Sequence, residues 1–199
     1  DIAGNITANG NIIISNPYGI MIHNGALIDV NSMIMTTASL NNEQFLNKDF
    51  VFTAQGLGHE SSIINYGTIE TKGPVALMAA GIENHGIIIS NFGNVDLAAG
   101  NGYRIDLSGR GLFSVDITSE LVSKAKYKDG KELKSAIHNS GKIITKNGAA
   151  IISAKAANNV FDTLLQVDGM IQAQGMTVED GKIILNSNQN VVAQSQMMP

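Results

Sequence analysis

Three aspartates, Asp96, Asp106 and Asp116, recur every ten residues, each between two apolar neighbours. A row of carboxylates can hold Ca²⁺, but that ion takes roughly six to eight convergent oxygens. Strand alternation would instead send each Asp outward while its neighbours enter a core, so a solvated face is the favoured reading. The four histidines, His23, His59, His85 and His138, are scattered. His59 and Glu60 do not start a zinc motif, because no second His follows four positions on. His85 and His138 fall in turn phrases, which favours the surface. Tyr18, Tyr66, Tyr103 and Tyr127 share no period that would line up a sugar-binding platform beside paired carboxylates. No nucleophile elbow, phosphate loop or Ca²⁺-binding nonapeptide repeat is present. The expected inventory is therefore no catalytic residue, no metal site and no cofactor.

The totals narrow the classes further. A net charge of -4 argues against nucleic acid as a partner. No apolar run is long enough to span a bilayer as a helix. Cysteine is absent, which removes disulfides, Cys-ligated zinc and thiol catalysis. It also suits a chain that must cross an oxidising compartment unfolded. Apolar residues make up 44% of the chain but aromatics only 5%, so Ile, Val, Leu, Ala and Met must fill the interior in flat layers.

The elements that position these groups repeat. Ile64-Asn65-Tyr66-Gly67-Thr68-Ile69, followed by Gly73-Pro74-Val75-Ala76-Leu77, returns as Ile82-Glu83-Asn84-His85-Gly86-Ile87-Ile88 with Gly93-Asn94-Val95-Asp96-Leu97. It returns again from Ile137-His138-Asn139-Ser140-Gly141, and more weakly from Gln166-Val167-Asp168-Gly169. Asn65 and Asn84 stand 19 apart, Gly73 and Gly93 stand 20 apart, so one residue enters the connecting loop. A unit of about 20 residues cannot enclose a core alone. Two short apolar runs per unit, punctuated by Asn and Gly, read as strands and turns. Stacking them sets each strand beside its counterpart in parallel, which gives an all-β parallel solenoid. Roughly ten coils would use the whole length, fewer if segments leave the stack.

Within the unit, Ile64, Ile69, Val75 and Leu77 are the expected core rungs, Asn65 and Gly67 the turn, and Glu70 and Thr71 the water-facing side. Asn65, Asn84, Asn139 and Asp168, with Gly67, Gly86, Gly141 and Gly169, form the expected turn ladder. Its side chains would bond one another, so losing Asn84 should cost about 1 kcal/mol. Excursions are expected near 37–52, 119–135 and 155–165, with 101–118 filling part of a coil. The second excursion gathers Lys124, Lys126, Lys128, Lys131 and Lys134. They could touch anionic lipopolysaccharide, but a solvated face is favoured. The polar stretch from Asn186 to Pro199 reads as fraying or as part of a severed coil.

Residues 4–20, Gly4-Asn5-Ile6-Thr7-Ala8-Asn9-Gly10-Asn11-Ile12-Ile13-Ile14-Ser15-Asn16-Pro17-Tyr18-Gly19-Ile20, resemble the signature of filamentous-haemagglutinin-type exoproteins of the two-partner secretion family. In that family an Asn-Pro-Asn-Gly-Ile motif follows a strand. Asn16, Pro17, Gly19 and Ile20 match it, while Tyr18 replaces the usual third-position Asn. The likeness runs from Gly4 to about Leu185. The family's domain usually begins some tens of residues earlier, so the chain reads as one domain, 1–199, lacking its N-terminal cap.

The resemblance implies a right-handed parallel β-helix with small extra-helical strands. It implies a secretion-targeting and β-helix-nucleating domain of a large exoprotein, recognised in the periplasm of a Gram-negative bacterium by a cognate outer-membrane transporter. The product would be secreted or displayed at the cell surface, with Asn16, Pro17, Tyr18, Gly19 and Ile20 as the transporter-reading segment. Any host receptor or glycan would be met by regions outside this chain. Adhesin, haemolysin and contact-dependent toxin all remain open as the full-length activity, and a β-helix lyase or glycosidase is the enzymatic alternative.

Overall fold

The computed structural model describes residues 1–47, 49–54, 61–109, 112–174 and 183–193. The expectations attached to His59 and Glu60, and to 194–199 of the polar end stretch, lie outside them. Three parallel sheets of six strands each form the faces of a β-helix, and successive strands visit the sheets in turn. The sheets are six strands deep, fewer than ten, because long segments leave the stack.

Register explains the repeat. Ile82 pairs with Ile63 and Ile137, Ile88 with Ile69 and Ile143, and Leu97 with Leu77 and Ile152. Like residues thus sit on like residues at the strand spacing of about 4.8 Å. All nine are buried in one continuous core. Burial of each such side chain is worth about 1.5–3 kcal/mol.

Two of the expected orientations are corrected. Ile64 is buried, but it shares the outward row with Glu83 and His138 while Ile63 enters the core. On that outer side it lines a groove together with Lys126, Tyr127 and Lys128 of the lysine-rich segment. Thr71 is also buried, its hydroxyl donating to the carbonyl of Gly73, so a strand expected to keep it in water turns it inward at the corner.

Residues 101–118 do not complete a coil. Gly102–Gly109 and Leu112–Ser119 form an antiparallel hairpin, extended by Val51–Thr53 into a three-stranded sheet outside the helix. Phe52, Tyr103, Ile105 and Ile117 of this sheet pack on the outward residues Ile34, Ala76, Met78 and Ala98 of the coils and make a second core. Tyr103 donates its hydroxyl to the carbonyl of Gly100, and burial holds its pKa far above the usual phenol range. The strand Val75–Ala79 is consequently buried on both faces, which is why it reads as an unbroken apolar run.

The lysine-rich segment carries no helix and clasps the stack. Ala125 and Leu133 are buried against Gly81, while Lys126 bridges to Ser61. Lys128 and Lys131 stay in water and pair with Asp1 and Asp129. Residues Thr163–Val167, partly placed in an excursion by the sequence, are a strand beside Ser135–Asn139. The coil continues through Ile183–Ser187 and Val191–Ala193.

Candidate functional site

The Asn-Pro segment is a closed turn between two strands. Proline presets one backbone angle and Gly19 takes a φ of +97°, so the chain reverses with little strain. The Gly19 amide donates to the Asn16 carbonyl at 3.1 Å, and the Tyr18 amide donates to Asn16 Oδ1 at 3.1 Å. Asn16 Nδ2 donates back to the Gly19 carbonyl at 3.0 Å. One asparagine therefore closes the turn with both its side chain and its carbonyl. Tyr18 is 77% exposed, while Ile20 is buried on Ile63. Ser61 Oγ anchors the turn by donating to the Pro17 carbonyl at 2.6 Å, a contact nothing in the motif announced. Asn16, Tyr18 and Gly19 line a groove of about 560 Å³ whose other wall holds Lys126, Tyr127 and Lys128.

The second set is the interior turn column. Asn65 Nδ2 donates to Asn84 Oδ1 at 2.8 Å, and Asn84 Nδ2 donates to Asn139 Oδ1 at 2.7 Å. The three side chains are fully buried. Gly67, Gly86, Gly141 and Gly169 stack beside them. A Cβ on Gly86 would lie 2.1 Å from the Gly67 carbonyl oxygen, and one on Gly141 2.2 Å from that of Gly86, so the stack admits no side chain.

Asp168 does not extend the column. Stacking of Gly169 on Gly141 fixes the register, and Val167 then falls opposite Asn139. Asn139 Nδ2 is left without a partner among the described residues. Asp168 instead lies in the outer row, where Oδ2 accepts from His138 Nε2 at 2.9 Å and from Gln166 Nε2 at 2.8 Å.

That outer row gathers groups that the sequence had scattered. Glu83 and His138 are paired neighbours on adjacent strands, and His85 sits beside them at the turn. Glu83 Oε2 accepts from His85 Nε2 at 2.9 Å, and Glu83 Oε1 accepts from the Tyr127 hydroxyl at 2.6 Å. Burial, then the hydrogen bond to Glu83, pushes the Tyr127 pKa well above the ordinary phenol range. His85 Nδ1 faces Ser140 Oγ at 2.6 Å, and the His85 ring stacks on Tyr66 and meets the His138 ring edge-on at 5.5 Å. Aligning Asn84 on Asn139 in the sequence would have brought His85 and His138 together.

Of the three periodic aspartates, Asp106 and Asp116 are exposed on the hairpin, whereas Asp96 is buried beneath it. Asp96 faces outward as alternation required, but the extra sheet covers its coil. Its Oδ2 has no partner among the described residues, and burial raises its pKa to about 8.

Residues 1–198 match the family model described as TPS secretion domain. The heme/hemopexin-binding protein of Haemophilus influenzae (strain ATCC 51907 / DSM 11121 / KW20 / Rd) is 29% identical over 197 residues, covering 94% of this chain and 20% of that protein. The chain thus spans about a fifth of the length of this relative. The crystal structure of the HMW1 secretion domain from Haemophilus influenzae superposes with a TM-score of 0.53 at 24% identity, covering 91% of this chain and 48% of that one, which supports the β-helix fold. With a match along nearly its full length, the chain belongs to the two-partner secretion (TPS) domain family.

Proposed function

We propose that this chain targets a large exoprotein for export and nucleates its β-helix. The observation that carries the reading is the family match across residues 1–198. The partner would be a cognate outer-membrane transporter of the two-partner type, which binds the unfolded chain in the periplasm and releases it outside the cell. Among the described residues no helix is long and apolar enough to cross a membrane, which suits a passenger that the transporter carries.

The coil stack supports this route physically. Each coil rests on its neighbours, so coils can fold one after another as they emerge, and burial of their Ile, Val and Leu opposes backsliding. Before folding, exposed strand segments can add to a sheet edge of the receptor. Asn16, Pro17, Tyr18, Gly19 and Ile20 are the residues we assign to recognition, since they form a local turn that Asn16 closes through the Tyr18 amide and the Gly19 carbonyl. The secretion domain family is not an enzyme class, and catalysis forms no part of this reading. Adhesion, and any haem or haemopexin binding of the kind named for the relative, would belong to regions beyond this chain.

The direct test is binding of the urea-unfolded chain, freshly diluted, to the isolated periplasmic domain of the partner transporter. Saturable binding that weakens about tenfold in Asn16→Ala and Pro17→Ala is expected, equivalent to the loss of about 1.4 kcal/mol. Absence of binding to the unfolded wild-type chain would contradict the proposal.

A further inference from the structure

We propose that Glu83, His85 and His138 form a binding site for a divalent transition-metal ion of the zinc class. This site exists only when two successive coils are stacked. The ligand atoms of the three residues lie within 4.8 Å of one another. Two imidazoles and one carboxylate, with no thiolate, suit a borderline cation such as Zn²⁺ better than Ca²⁺ or Mg²⁺, which favour all-oxygen shells.

The surrounding hydrogen bonds orient the set as metal sites require. A carboxylate oxygen accepts, so His138 Nε2 carries the hydrogen it shares with Asp168 Oδ2 at 2.9 Å. With that hydrogen on Nε2, Nδ1 is the ring's ligand atom, and Asp168 acts as the outer carboxylate that fixes the ring. Glu83 is held from its far side by Tyr127, which leaves Oε2 facing His85 Nε2 at 2.9 Å. Zinc bonds of about 2.0–2.1 Å in tetrahedral geometry separate two ligands by about 3.3 Å, so this gap admits a cation with little movement. The cation takes the place of the hydrogen on His85 Nε2; the ring changes tautomer, its one proton passing to Nδ1 by exchange with water, and Nδ1–H then donates to Ser140 Oγ with no net proton released.

Burial is graded in the same sense. Glu83 is 8% exposed in its side chain, while His85 and His138 are 24% and 22% exposed, so an ion can enter from one side and keep water or another ligand in its open position. The fold creates the convergence, because Asn84 and Asn139, which set the pairing of Glu83 with His138, are 55 residues apart in the chain. Binding therefore adds to the stability of the folded coils and to nothing in the unfolded chain. Through Tyr127 it also fastens the lysine-rich segment to the stack.

The test is calorimetric titration of ZnCl₂ into the full chain, purified without a polyhistidine tag, alongside thermal melts. The expected result is one saturable site per chain, a rise in Tm with Zn²⁺, and no rise with MgCl₂ or CaCl₂. His85→Gln, His138→Gln and Glu83→Gln, chosen to keep side-chain bulk, should each weaken binding by roughly 100-fold, and Asp168→Asn by about tenfold. His23→Gln, at a half-buried histidine near Asp1, should leave binding unchanged. Absence of saturable Zn²⁺ binding by the wild-type chain would overturn the proposal. So would equal binding by folded His85→Gln and His138→Gln variants, or loss of binding in His23→Gln.

Discussion

Asn84 and Asp96 lie on the same coil, and both are almost lost to solvent, at 0% and 2% exposure. Their surroundings differ. Asn84 sits mid-column at a turn, giving one hydrogen bond and taking another from identical residues above and below. Asp96 lies under the extra-helical hairpin with Oδ2 unpartnered among the described residues. Burial of a polar group stabilises only when its partners are buried with it. A parallel stack supplies partners by repetition, because the same residue recurs one strand away. A sheet laid over the stack has no such period, so a carboxylate beneath it depends on chance neighbours.

The largest effect should come from Asn84→Ala. It strips the partner from Asn65 Nδ2 and from Asn139 Oδ1 together, so the loss is about 3 kcal/mol, above the 1 kcal/mol expected from a single bond. Urea unfolding with linear extrapolation reads this directly. A loss under about 1 kcal/mol would mean that the column does not hold the coils.

Asp96→Asn should act in the opposite direction. Burial raises the folded pKa from 3.8 to about 8, so the native state keeps a proton that the unfolded chain releases above about pH 4. Wild-type stability should therefore fall as pH rises from about 4 to about 8 and level off above. The Asn variant lacks that slope and should be more stable by about 2 kcal/mol at pH 8, since its amide still needs buried partners. Parallel urea series at pH 5 and pH 8 measure the difference. A variant less stable than wild type at pH 8 would place a compensating partner beside Asp96 and end the contrast.

The smallest effect sharpens the column itself. Asn139 is its last member and already carries an Nδ2 unpaired among the described residues, and Asn84 Nδ2 retains the Lys142 carbonyl at 3.3 Å. Asn139→Ala should cost about 1 kcal/mol. If it cost as much as Asn84→Ala, position in the column would not matter.

The coils were legible because their order is local and periodic. Asn65, Gly67 and Ile69 repeat at a spacing that a parallel stack converts directly into register, and Asn16 with Pro17 and Gly19 announces a turn by residue type alone. The hairpin was not legible, because Ile105-Asp106-Leu107 and Val115-Asp116-Ile117 alternate like coil strands. Their antiparallel pairing with each other, and that of Gly102, Tyr103 and Arg104 with Val51–Thr53, sets them apart. Ile64 was assigned to the wrong face because adjacent Ile63 and Ile64 are both apolar, and only the pairing of Ile63 with Ile82 and of Ile64 with Glu83 tells the inner from the outer. Asp168 was aligned by similarity to Asn, whereas glycine stacking, the stricter constraint, shifts it by one residue. The two copies were aligned in the sequence, but with 101–118 expected to fill part of a coil between them, Glu83 and His85 were not set beside His138.

The central claim is that this chain guides export and folds after it. Its most direct test is co-expression of the chain, behind a signal peptide and with the partner transporter, followed by measurement of chain in the medium. Secretion should require the transporter and should drop several-fold in Asn16→Ala and Pro17→Ala, while the column variant Asn84→Ala should still leave the cell but emerge protease-sensitive. Transporter-independent release of the wild-type chain, or undiminished secretion of both motif variants, would contradict the account.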